Sequence, residues 1–273
     1  MASELTSEEA MIVPEPVAPE PERPQQTSHG YERRFSAIYG VLAVAVLAAI
    51  GGIVLALTGG HVGAGPAAWS SWKPEDSGQN GAKQIAAHVA REYHLPSGAQ
   101  LVEVFAKPPS VSPGSQNIPL HYVVKQGKGQ NGEPIAISSG DTIQYSLCGL
   151  GDSCSIAKGT PSVQRGTLVR REILELALYT FKYMSGVKNV IAFMPPTPGS
   201  TPKYTVFLQR SDLDAQLKVP LTQTLSSKTP LPNTITRGEQ QTIDRTTESK
   251  VFQYSLSQTQ TGEAVLVLSP ISA

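Results

Sequence analysis

Residues 37–57 read AIYGVLAVAVLAAIGGIVLAL, and this stretch decides how the chain is organised. Its 21 residues carry no charge, and Tyr39 is the only polar side chain among them. At about 1.5 Å of rise per residue, a helix of this length crosses a hydrocarbon core of roughly 30 Å. A helix packed in a globular core keeps a polar stripe toward water, and this run has none. The expectation is one transmembrane helix over residues 35–58.

The flanks give its direction. Arg33 and Arg34 sit just before the run and Arg23 lies further back, whereas the first Lys or Arg after it is Lys73. Positive charge on the short N-terminal side places that side in the cytoplasm; the seven Glu residues there weigh little in this rule. A cleaved secretory signal has a short basic start and an apolar core of about 7–15 residues. Here a 34-residue acidic, Pro-rich tail precedes a longer apolar run, so the segment reads as an uncleaved signal-anchor.

Composition narrows the rest. The chain has 273 residues, with 22 Lys+Arg against 22 Asp+Glu, and this neutrality argues against whole-chain capture of nucleic acid. Two cysteines exclude a disulfide-dense miniprotein or a Cys-rich zinc module. Residues 1–34 interleave Pro14, Pro16, Pro19, Pro21 and Pro24 with Glu15, Glu20 and Glu22. They cannot bury enough apolar surface to offset ordering entropy, and read as a disordered cytoplasmic tail. Residues 59–80 form a Gly/Pro/Ser-rich tether, interrupted by Trp69 and Trp72, which are expected to dock on the folded domain.

Residues 81–273 remain for an extracytoplasmic α+β domain: two main helices packed on a mostly antiparallel sheet. Ala82, Ile85, Ala86, Val89 and Tyr93 recur at helical spacing, predicting a helix over 80–93 that stops before Pro96. Strands are predicted over 100–106, 118–125, 135–137 and 142–147, with a turn at 127–134. A second, central helix is predicted over 167–185, with Thr167 as its N-cap and Gly186 in the left-handed position past its end. Strands over 187–194 and 204–209 follow, then a polar turn at 211–214. Residues 218–248 are rich in Thr, Ser, Pro and Gln and receive no assignment. Segments 250–256 and 264–268 close as a hairpin around Gly262. The short connections favour antiparallel pairing over a doubly wound sheet.

Cys148 and Cys154 frame the segment CGLGDSC. Outside the membrane such a pair persists as a disulfide, and Gly149 and Gly151 let so small a loop turn back. A loop of this size contributes about 2–3 kcal/mol by chain entropy; the spacing is not the C-x2-C of thioredoxin-like sites.

Other motifs read as bland. Gly127–Gly132 matches G-x-G-x-x-G, but an apolar strand follows where a dinucleotide site needs a helix, so it reads as a hairpin turn with Asn131-Gly132. Gly151-Asp152-Ser153 resembles a hydrolase nucleophile only superficially, since none of His88, His94 or His121 sits in a matching motif. His88 and Glu92 share a helical face, too few ligands for zinc, which takes three or four. Lys158, Arg165, Arg170 and Arg171 gather around the start of the second helix, where they oppose its dipole. Asp152, Glu172, Glu175 or an anionic partner could offset them, and Arg171–Glu175 is an i,i+4 pair. Residues 58–273 hold 19 Lys+Arg and 15 Asp+Glu, a mild +4.

Three stretches together, WSSWKP at 69–74, CGLGDSC at 148–154 and REILELALYTFKY at 171–183, resemble uncharacterised single-pass membrane proteins of actinobacteria, over most of residues 30–273. The resemblance implies the actinobacterial cell envelope and lends no catalytic residues, metal or cofactor. The expected function is a membrane-anchored domain that binds another envelope protein or an anionic envelope component, with no nucleic-acid partner. The alternative is an extracytoplasmic hydrolase whose residues meet only in the fold.

Overall fold

The computed structural model describes residues 68–112, 117–127, 131–157 and 159–271. The tail, the expected span at 35–58, the first part of the tether and Lys158 lie outside the described residues. Among the described residues no helix is long and apolar enough to cross a membrane.

The domain is α+β. Three helices of three turns or more, α1 (Gln79–Ala90), α2 (Val163–Tyr183) and α5 (Arg237–Thr247), are joined by two single turns, α3 (Asp214–Leu217) and α4 (Leu221–Thr224). Nine strands follow the chain as β1 (Glu103–Lys107), β2 (Ser110–Val111), β3 (Ile118–Gln126), β4 (Asn131–Ala136), β5 (Thr142–Cys148), β6 (Asn189–Phe193), β7 (Tyr204–Gln209), β8 (Val251–Gln258) and β9 (Ala264–Pro270). They lie in the order β1-β5-β6-β7-β8-β9-β3-β2, with β4 paired to β3.

Six pairings are antiparallel, as expected. Two are parallel: β5 with β6, and β3 with β9. The first has a local cause. Helix α2 is the crossover between β5 and β6, and a strand that returns after a long helix re-enters in the same direction. The sheet is thus mostly antiparallel, as expected, and this pair is parallel because its connection is long. The β8–β9 hairpin turns at Gly262, whose φ of +86° suits glycine. Asn131-Gly132, expected in a turn, lies inside β4, where Gly132 passes so close to Lys125 O that a Cβ would sit 2.3 Å from it.

Side-chain alternation splits the core across the sheet. Ile143, Tyr145 and Leu147 of β5, Val190 and Ala192 of β6, and Val206 and Leu208 of β7 face the helices and pack on Ile85, Val89, Leu174, Leu178 and Phe181. The alternate residues, Ile191, Phe207, Phe252, Leu266 and Leu268, form a second core on the opposite face with Val111, Leu120, Val123 and Ile137. This explains why β6 reads as apolar on both sides. The sheet curls around the second core until β2 returns to β5, where Ser110 N–H donates to Gln144 Oε1 at 2.8 Å.

Helix α2 starts four residues earlier than expected. Ser162, not Thr167, caps it by accepting from Arg165 N–H at 3.1 Å. Its C-terminus uses no left-handed glycine. Arg210, arriving from the end of β7, donates to the carbonyl of Phe181 in the last turn and to those of Met184 and Val187 just beyond it. The tether docks as expected: Trp69 is 8% exposed, packs edge-on against Tyr179 and Tyr183, and its carbonyl accepts from Leu221 N–H. Trp72 stacks on His88 with ring centroids 4.0 Å apart.

Candidate functional site

The expected disulfide forms: Cys148 and Cys154 are bonded, with Cα atoms 4.3 Å apart, and no free cysteine is present. The loop it closes is strained. Leu150, Ser153 and Cys154 all take positive φ (67°, 53° and 60°) without being glycine, at a cost of roughly 1–2 kcal/mol each. Gly149 N–H to Cys154 O (2.9 Å) and Gly151 N–H to Ser155 O (2.8 Å) hold the turn together. Both glycines are required, because a Cβ at either would meet Ser155 atoms at 2.5 and 2.8 Å.

Of the four basic residues expected to gather at the start of α2, Lys158 lies outside the described residues, and Arg165, Arg170 and Arg171 do not form an exposed patch. Arg170 pairs with Asp244 of α5 at 2.6 Å. Arg171 is 1% exposed and every face of its guanidinium is engaged: Nε donates to Glu239 Oε1 (2.8 Å), Nη2 to Ser226 O (2.9 Å), and Nη1 to Tyr93 Oη and Glu175 Oε2. Arg165 is buried as well. Of the acids expected as offsets, Glu175 takes the i,i+4 pairing at 3.1 Å, and Glu239, from the unassigned stretch, pairs with Arg171 as well, at 2.8 Å. Among the described residues no exposed guanidinium cluster stands at the start of α2.

This buried network opens on one side into a polar cleft of about 270 Å³, lined by Ser70, His88, Glu92, Glu175, Tyr179, Leu225 and Ser226. Tyr93 Oη donates to Glu175 Oε2 at 2.6 Å. Burial raises the Glu175 carboxyl despite Arg171 and Tyr93, which pull it down. Burial also lowers His88 and lifts Tyr179 to about 12. Glu239 goes the other way: burial would raise it, but Ser226 and Arg171 outweigh that and keep it ionised. His88 and Glu92 line the same cleft, although Glu92 lies in the turn past the end of α1, and among the described residues no group of three or more His, Cys, Asp or Glu could hold a metal.

The second opening lies on the opposite face, at the end of the curled sheet. Its cavity, about 400 Å³, is lined by Val111, Phe193, Met194, Pro196, Tyr254 and Leu256, with Lys107, Ser110, Gln144 and Ser146 on its polar side. Strand alternation builds it. With Ile143, Tyr145 and Leu147 committed to the helices, Gln144 and Ser146 must face the other way, and Lys107 stands opposite Gln144 in the β1–β5 register. Ser146 stands beside Phe193 in the β5–β6 register, and Phe193 packs edge-on against Tyr254, 4.8 Å between centroids. Ser153 and Cys154 of the strained loop form part of the rim. Among the described residues no histidine lines this cavity or its neighbour beside Asp152, so Ser153 has no histidine base there.

Sequence reading did not find either opening. The alternation of β5, TIQYSLC, does carry a signal: polar Gln144 and Ser146 mark a face that is not plain core. No known protein family, curated protein or solved structure matches this chain.

Proposed function

We propose that the chain is a single-pass envelope protein whose extracytoplasmic domain is a binding module, with the mainly apolar cavity between β1, β5, β6 and β8 as its ligand site. The observation that carries the reading is this cavity: a concave, largely apolar space of about 400 Å³ with a few convergent polar groups, the usual make-up of a small-ligand site. The uncharged run at 37–57, the oxidised Cys148–Cys154 pair and the resemblance to actinobacterial single-pass proteins support the location. A photo-reactive benzoylphenylalanine placed at Tyr254 and irradiated in intact cells tests it. The expected product is a covalent adduct of the domain with a small apolar molecule. Cross-linking to protein alone, or to nothing, overturns the reading.

One observation favours a second reading, the hydrolase. His88, Glu92 and Glu175 converge in the polar cleft, with burial shifting His88 down and Glu175 up, the arrangement a neutral base and a protonated acid need. Profiling the full chain against ester, peptide and glycoside probes decides. Turnover that Glu175→Gln abolishes supports catalysis; no turnover in any class retires it.

A further inference from the structure

The apolar cavity contains one charged side chain and nothing to balance it. Its lining includes Lys107 and no Asp or Glu. Among the described residues the Lys107 ammonium has no hydrogen bond, ion pair or ring partner. Lys125, near the other end of the same core, is different: its Nζ donates to Gln209 Oε1 at 2.9 Å and lies over the Phe207 ring. Lys107 is half-buried, and desolvation lowers its pKa with no acid nearby to restore it. A half-desolvated cation without a counter-ion is costly to maintain. It shares the cavity lining with Val111, Phe193, Tyr254 and Leu256 and with Ser110, Gln144 and Ser146, and it stands opposite Gln144 in the β1–β5 register.

We infer that the cavity selects an amphipathic anion, a single hydrocarbon chain capped by an anionic oxygen group, with the chain on Val111, Phe193 and Leu256 and the headgroup at Lys107. Resting on the reading of this cavity as the ligand site, the inference makes Lys107 the specificity-determining residue. An anionic head restores the missing counter-charge in a partly dry setting, where a charge-assisted hydrogen bond is strong. A neutral head leaves the ammonium unpaired, and a cationic one repels it.

Decanoate and its neutral counterpart 1-decanol make the test, added to the full chain in lipid nanodiscs with methyl-labelled Met, Leu and Val. The methyls of Val111, Met194 and Leu256 report the cavity, while Met184, 2% exposed in the helix-side core, is the internal control. Lys107→Met is expected to weaken decanoate by about tenfold and decanol by less than about twofold, with Lys107→Arg near wild type; tenfold corresponds to about 1.4 kcal/mol. Comparing variants within each ligand cancels partition into the nanodisc. If both ligands shift the cavity methyls but Lys107→Met affects them equally, the headgroup inference falls and the apolar site stands. If neither ligand moves those methyls in the wild type, the site reading falls with it.

Discussion

Replacing Arg171 with methionine is expected to destabilise the domain by about 3–5 kcal/mol, the cost of leaving buried carboxylates without their cation. The side chain is 1% exposed, and it ties α2 to three other parts of the fold. Through Tyr93 it holds the segment after α1, through Glu239 it holds α5, and through Ser226 O it holds the loop between α4 and α5. Removing it strands Glu239, which burial would push up and which stays ionised because Ser226 and Arg171 outweigh that burial. Arg171→Lys keeps the charge but not the fork of donors, so it should recover only part of the loss. The double variant Arg171→Met/Glu239→Gln should be less destabilised than the two single losses added together, because it removes a charge along with its partner. Urea unfolding of the full chain reads all four proteins. A loss below about 1 kcal/mol for Arg171→Met would mean that the acids find solvent or other donors, and that the network is no keystone.

Much of the fold was legible because burial leaves a periodic trace. The apolar spacing of Ala82, Ile85, Ala86 and Val89 gave α1, and the apolar run at 190–194, inside the strand expected over 187–194, gave β6, buried on both faces. The cysteine pair was legible from its spacing and from the compartment that the sequence leads one to expect. Helix α5 was not, since its buried residues are Glu239, Ile243, Thr246 and Thr247, three of them polar. Its stability comes from Thr236 capping Glu239 N–H and from salt bridges of α2 with Asp244 and Glu239, partners that sequence spacing does not announce. The same reason hid the candidate sites. The cavity at Lys107 is assembled from β1, β2, β5, β6 and β8, segments up to about 150 residues apart, and depends on which face each strand turns inward. Pairing β5 with β6 in parallel is what brings Ser146 beside Phe193. Arg165 and Arg171 of the expected basic cluster are buried, because linear proximity says nothing about which guanidinium points into the core.

Glu172, one position further along α2, sets up the second large effect. It is fully buried, and neither carboxyl oxygen has a hydrogen-bond partner. Burial, reinforced by nearby Glu175 and only partly opposed by Arg171, raises its pKa well above the usual carboxylate value. The sign follows from proton counting. Above about pH 5 the unfolded chain has released this proton while the folded domain retains it, so folding stability falls as pH rises. The fall continues until the folded pKa is passed, at up to about 1.4 kcal/mol per pH unit. Below the unfolded value the proton is bound in both states and the penalty is only that of an unpaired buried polar group, about 1–3 kcal/mol. Glu172→Met removes both terms, so the variant should be more stable than wild type, by a margin that widens from pH 5 to pH 8. His88 works in the opposite sense, because burial lowers it, and Glu239 gains stability as pH rises at the acid end. Both are present in wild type and variant alike, so the difference between the two denaturation curves isolates Glu172. A margin that stayed flat across that range would mean the carboxyl is ionised in the folded domain. It would then need a hydrogen-bond donor, which no described residue supplies.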